Sequence, residues 1–333
     1  MIKLEEKEES FRYFNENGGK FRVSILNACN LSCSFCHNEA MQNPRTEKKS
    51  YPSLLSAERI LQIIHSYISL GGKQVNITGG EPLLHPQFSG LISKIEKGSC
   101  RLVINTNAVL PKVLLEGGRI EKIDSLLISL HTADEDVFRT YLGKSSSARV
   151  QENILKLKQA GYHIELNCSF GNYNKDGLEK VVRFSSENGI DLKIITLVRH
   201  NDHPDFYSGD WLSPESVQPI LTKYGFRLQN SENSLGGYKM FYRNDNISLT
   251  VKDIGKGKLF TSFCRGCRYR KLCGEGIYGL RVGVDGIWKP CLLNREEFIP
   301  VSESESADDQ ILNLIHRMTG EIKSRKFSAE FPE

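Results

Sequence analysis

The sequence has no apolar run approaching the ~18 residues that a membrane-spanning helix needs. Its opening residues, Met1-Ile2-Lys3-Leu4-Glu5-Glu6, are acidic and lack the apolar centre of a secretory signal. It has no long basic block either. Lys plus Arg number 44 against 40 for Asp plus Glu, so neither a nucleic-acid polyanion nor a membrane surface is implied as a partner. These absences point to the cytoplasm. In that reducing compartment, nine cysteines in 333 residues read as metal ligands rather than disulfides. A chain of this length can bury a large core and suggests two domains, or one barrel with an extension.

Seven of the nine cysteines fall into two groups. The first is the run Cys29-Asn30-Leu31-Ser32-Cys33-Ser34-Phe35-Cys36, just after the apolar segment 21–26. Thiolates are soft ligands suited to iron–sulfur clusters, zinc or copper(I). A structural zinc site usually takes four protein ligands, so three thiolates leave one position open. The second group is Cys264-x2-Cys267-x5-Cys273-x17-Cys291, which can close a tetrahedral zinc site or hold an iron–sulfur cluster. Spacing does not choose between the two. Cys100 and Cys168 sit in or beside expected strands without partners and read as small core residues.

Between the two groups, strands and helices alternate. Expected strands are Arg22–Leu26, Gln74–Thr78, Leu102–Thr106, Ser125–Leu130, His163–Ser169 and Leu192–Val198. Helical spacing marks Leu55–Leu70, Phe88–Ile95, Asp134–Leu142, Ala148–Ala160 and Leu178–Glu187, with Gly71, Gly161 and Gly189 as stops. Such alternation predicts a parallel sheet, here an α/β partial (β/α)6 TIM-like barrel whose ligands gather at the strands' carboxyl ends. Residues 1–20 read as a polar lead-in, 21–205 as the barrel, and 206–333 as a smaller domain carrying the second cysteine group. The stretch 201–260 suggests a linker, a helix at Pro214–Tyr224 and a small β-rich element.

The first cysteine run resembles the signature of the radical S-adenosylmethionine (SAM) superfamily, with Phe35 as the aromatic residue before the third cysteine. Thr78-Gly79-Gly80-Glu81-Pro82 resembles the superfamily's GGE motif, although alone it would pass for an ordinary turn. The resemblance implies a [4Fe–4S] cluster on Cys29, Cys33 and Cys36 whose fourth iron chelates SAM. It also implies reductive cleavage of SAM to a 5′-deoxyadenosyl radical that takes hydrogen from a substrate, with flavodoxin or ferredoxin as reductant. Cys264, Cys267, Cys273 and Cys291 then resemble a twitch or SPASM domain with a second [4Fe–4S] cluster.

Shared stretches are similar to the GTP 3′,8-cyclase family nearly throughout: Arg22-Val23-Ser24, Asn105-Thr106-Asn107, Ser129-Leu130-His131, the Trp211–Glu215 helix start and Leu280-Arg281-Val282. By that resemblance Phe35, Gly79, Gly80, Glu81, Asn105, Thr106 and Ser129 meet SAM, the glutamate at its ammonium. Arg22, Asn107, Lys193 and Arg281 face the substrate. The sequence departs from that family where basic residues hold the triphosphate: Gln74, Asn76 and Glu165 stand there, Gly279 replaces an arginine, and the terminal diglycine is replaced by Phe331-Pro332-Glu333. A carboxylate facing a triphosphate repels it. The expectation is therefore a cyclase-like scaffold acting on a small molecule (a nucleoside, nucleotide or sugar) with less phosphate charge than GTP. The alternatives are a peptide-modifying maturase with a peptide substrate, a true GTP cyclase, or a non-enzymatic metal-binding protein.

Overall fold

The computed structural model describes residues 2–37, 39–40, 55–198, 208–235, 237–256, 260–273, 277, 279–294 and 298–320. Six strands follow one another in the first two thirds of the chain: β1 (Lys20–Ser24), β2 (Gln74–Thr78), β3 (Arg101–Thr106), β4 (Ser125–Ser129), β5 (Ile164–Phe170) and β6 (Asp191–Thr196). They pair in parallel in that order. Between them lie α2 (Ala57–Ser69), α3 (Phe88–Lys94), α4 (Lys112–Leu115), α5 (Glu135–Tyr141), α6 (Ser147–Gln159) and α7 (Leu178–Glu187), the crossovers that a parallel sheet requires. The expected partial barrel is present.

Strand alternation sends side chains to two different surroundings. In β1, Phe21 and Val23 are fully buried under the helices, and Phe21 stacks on Tyr67 of α2 at 4.4 Å between ring centres. Lys20, Arg22 and Ser24 take the opposite face, toward the barrel interior. The outer layer is therefore apolar and the inner one polar, and that contrast is what makes room for a site.

Six further strands follow α8 (Gln218–Lys223): β7 (Arg227–Ser234), β8 (Gly237–Arg243), β9 (Ser248–Asp253), β10 (Gly279–Val282), β11 (Ile287–Lys289) and β12 (Ile299–Pro300). They form no sheet of their own. The strand order is β12-β11-β10-β1-β2-β3-β4-β5-β6-β9-β8-β7, so the later strands extend the barrel sheet at both edges. β10 joins β1 and β9 joins β6, both in parallel. The sequence expected a small β-rich element after residue 206, and the extra strands are there, but as extensions of the barrel.

Besides the four-residue α4, two longer helices lie where the sequence reading placed none. The supposed lead-in contains α1 (Leu4–Glu16), which buries Phe11 and Phe14. The chain's last described element is α9 (Ala307–Thr319), capped by Ser306, whose hydroxyl accepts from the Asp309 amide. α1 and α9 meet each other, with Ser10 Oγ 2.8 Å from His316 Nδ1. The expected helix at Pro214–Tyr224 starts as a 3-10 turn, Pro214–Val217, before α8. Among the described residues, no helix is long and apolar enough to cross a membrane.

Candidate active site

The cysteine loop leaves β1 and is held by the turn after β2. Gly80 N donates to Leu26 O at 2.7 Å, and Glu81 N donates to Ala28 O at 2.8 Å. A side chain at Gly79 would strike the Leu26 carbonyl, and one at Gly80 the Ala28 carbonyl; Gly79 also sits at φ 155°. The close approach that these glycines permit is to the cysteine loop's own backbone. They thereby fix where the thiols stand.

Cys29, Cys33 and Cys36 lie together on that loop. Burial pushes the Cys29 and Cys33 thiols above their ordinary range, helped at Cys29 by Glu81 and then Cys36, and at Cys33 by Cys36 and Cys29. Three thiols on one loop, with Cys29 and Cys36 exposed, are an all-sulfur donor set of the kind an iron–sulfur cluster takes. Phe35 packs edge-on against His131 at 4.8 Å and beside Tyr173 at 5.1 Å.

Glu81 is 2% exposed, and its carboxylate is used within the fold. Oε1 accepts from Thr106 Oγ1 at 2.7 Å and from Leu83 N at 3.1 Å, and Oε2 accepts from Asn107 N at 2.7 Å. Burial raises its pKa, opposed by those three hydrogen bonds. Asn107 Nδ2 then donates to Asn30 Oδ1 at 2.8 Å and lies 3.7 Å from Cys29 Sγ. Glu81 thus ties the end of β3 to the cysteine loop. Thr106 is spent on this tie, whereas Asn105 faces the barrel interior.

That interior holds a cavity of about 440 Å³. Phe35, beside Cys36, and Leu292, beside Cys291, both line it, so it lies between the two cysteine groups. Its cations are Lys20, Arg22, Lys193, Lys239, Lys252 and Arg281, against the carboxylates of Glu39 and Glu165. Burial, followed by repulsion from Lys193, Lys252, Arg22 and Lys239, pulls the Lys20 pKa well below its ordinary value. Lys193 is lowered for the same first reason, with Glu165 opposing.

Of the expected substrate residues, Arg22, Lys193 and Arg281 meet at this cavity, while Asn107 belongs to the Glu81 tie. The departures at β2 and β5 are compensated within the fold. Gln74 donates to Asn76 at 2.7 Å and Asn76 to Asn105 at 2.8 Å, a ladder of amides. Glu165 accepts from Arg101 at 2.6 Å and from Ser125 at 3.1 Å. Burial works to raise its pKa, but these bonds and Lys193 hold it below the usual carboxylate range. Its charge is thus largely neutralised, and the repulsion expected of it is weakened accordingly.

Lys20, Lys239, Lys252 and Glu39 were not singled out from sequence. Lys20 could have been found, because a residue two before Arg22 on one strand shares its face. Lys239 and Lys252 could not, since the sequence does not show that β9 pairs with β6. Glu39 accepts two bonds from Arg22, at 2.5 and 2.7 Å, and its Oε1 lies 3.0 Å from Arg281 Nε. Burial works against its charge, yet Arg22 and Arg281 together bring its pKa down to about 2.

The second group also converges. Cys264, Cys267, Cys273 and Cys291 line one small cavity with Phe260, Phe263, Ile277 and Leu293. Burial raises the Cys264 thiol to about 11, with Cys273 and Cys267 adding to the effect. Among the described residues, no three His, Cys, Asp or Glu side chains are drawn close enough to hold a single metal ion.

Comparison with known proteins agrees with this geometry. Residues 23–185 match the radical SAM superfamily. The chain is 26% identical over 314 residues to the GTP 3′,8-cyclase of Psychromonas ingrahamii, covering 92% of this chain and 86% of the relative. It is 28% identical over 291 residues to the probable GTP 3′,8-cyclase of Sulfurisphaera tokodaii, covering 85% and 83%. Among solved structures, Streptococcus suis SuiB bound to the precursor peptide SuiA shares the fold, with a TM-score of 0.62, 15% identity, and 96% of this chain and 70% of that one covered. Residues 23–185 are therefore a radical SAM domain, in a chain that resembles the GTP 3′,8-cyclases along most of its length.

Proposed function

We propose that this radical SAM protein acts on a small anionic molecule of the nucleotide or sugar-phosphate kind, carrying less phosphate charge than GTP. The observation behind this reading is the cavity between the two cysteine groups, lined by six cations and two carboxylates. A cavity of this size suits a small ligand, and the excess of cations suits an anion. Cys29, Cys33 and Cys36 would hold a [4Fe–4S] cluster. Cys264, Cys267, Cys273 and Cys291 would hold a second cluster. When bound, the first cluster with SAM supplies radical hydrogen abstraction, using an electron from reduced flavodoxin or ferredoxin. The chain's own residues orient the substrate and keep water from the reacting atoms.

The test is anaerobic reconstitution followed by incubation with SAM, reductant and, in turn, guanosine, GMP, GTP and a sugar phosphate. We expect formation of 5′-deoxyadenosine that depends on a singly phosphorylated compound. Rapid conversion of GTP to a cyclised triphosphate would replace this reading with the activity named for the relatives. Turnover of a peptide alone would replace it with a maturase.

Glu81 is placed in this reading as a support for the SAM-binding loop. Replacing it with alanine strips three acceptor contacts from the Leu83–Asn107 region. SAM binding, followed by calorimetry, is expected to weaken by about 1.5–3 kcal/mol, the scale of a charged hydrogen bond. Unchanged affinity would show that the tie is dispensable.

A further inference from the structure

We infer that Glu39 is a specificity-determining residue: a built-in counter-ion that occupies the two arginines of the cavity and leaves a compact anion to its lysines. Its carboxylate engages Arg22 through a two-bond fork and lies against Arg281, whose side chain is 1% exposed. Two-bond pairing of this type is the geometry by which arginine recognises a carboxylate or phosphate of a ligand. Here it is already satisfied from within.

The carboxylate is also anchored from behind. Lys289 Nζ donates to the Glu39 carbonyl at 3.1 Å, and Lys289 is itself held by Asp285 at 3.0 and 3.2 Å. Glu39 is thus held at its backbone as well as at its carboxylate.

The other cations lining the cavity are Lys20, Lys193, Lys239 and Lys252. They sit near one another, since Lys193, Lys252 and Lys239 each depress the Lys20 pKa. Lys239 makes only a long rim contact with Glu232, at 3.5 Å. A single phosphate or carboxylate can use these lysines alone. An extended oligophosphate that also reaches the arginines meets a carboxylate already bound to them, and must either displace it or lie against its charge.

This inference rests on the cavity being the substrate site, but its test needs no turnover. Affinities for inorganic phosphate and inorganic tripolyphosphate are measured by calorimetry on the reconstituted protein. Glu39→Gln is expected to raise the preference for tripolyphosphate over phosphate by about tenfold or more, because a carboxylate charge no longer competes for Arg22 and Arg281. Adding Arg22→Gln to that variant removes most of the gain. An unchanged or reduced preference in a folded Glu39→Gln protein overturns the assignment.

Should that variant fail to fold, the otherwise intact protein still decides. Lys193→Gln must weaken phosphate binding more than Arg22→Gln does, and the reverse order overturns the assignment. A shifted preference in a protein that cleaves no SAM would leave Glu39 as assigned and remove the enzymatic reading instead.

Discussion

Replacing Cys29, Cys33 and Cys36 together with alanine is expected to remove about half of the iron from the reconstituted protein and all formation of 5′-deoxyadenosine. The two cysteine groups are separate in space, the second lining its own apolar cavity, so one can be emptied without the other. Iron per chain and visible absorbance report the loss independently of turnover. The fold should survive, because Cys29 and Cys36 are exposed, and Cys33, partly buried against the core, loses only one sulfur atom. Full iron content with continued SAM cleavage would refute the ligand assignment. A colourless zinc protein before any mutation would refute the enzymatic reading as a whole.

The largest loss of stability is expected at Asp285. Lys289 is 1% exposed and Asp285 not at all, and their charges meet at 3.0 Å. Burial lowers the Lys289 pKa, and Asp285 is the main group opposing it. Gly283 leaves the room, since a side chain there would strike both partners. Asp285→Ala strands a buried ammonium and should cost about 3–5 kcal/mol, read from the shift of the urea or guanidinium midpoint. Changing both residues to apolar ones of similar volume should recover much of that loss. A single variant destabilised by less than about 1 kcal/mol would mean that water reaches the pair.

Much of this was legible from local pattern. The six barrel strands stand out because apolar runs alternate with helical spacing, and the thiols because three in eight residues are conspicuous. What was not legible depended on contacts between distant segments. Reading Glu165 as a repulsive charge was reasonable strand by strand, but Arg101, two strands away in the sheet, binds it at 2.6 Å. Lys239 and Lys252 reach the cavity only because β9 lies against β6. α1 was hidden for a different reason: Leu4–Glu16 is mostly charged, and Phe11 and Phe14 are too few to show a period. In α9 the signal was present, with Ser306 as cap and Ile311, Leu312, Ile315 and Met318 along one buried side. Nor did the sequence show that the glycines of the Gly79-Gly80-Glu81 turn make room for the Leu26 and Ala28 carbonyls.

The bracketing of the barrel by late strands bears on how the chain is made. β1 pairs on one side with β10, so Lys20 waits for Gly279 and Val23 for Val282. During synthesis the first strand emerges early, and its outer edge has no partner until most of the polypeptide has left the ribosome. Pairings this distant in sequence are slow to close, and an unpaired strand edge invites other chains meanwhile. The nascent protein thus carries an exposed edge for nearly the whole of its translation, and chaperone occupancy should end only when the segment after residue 279 is released.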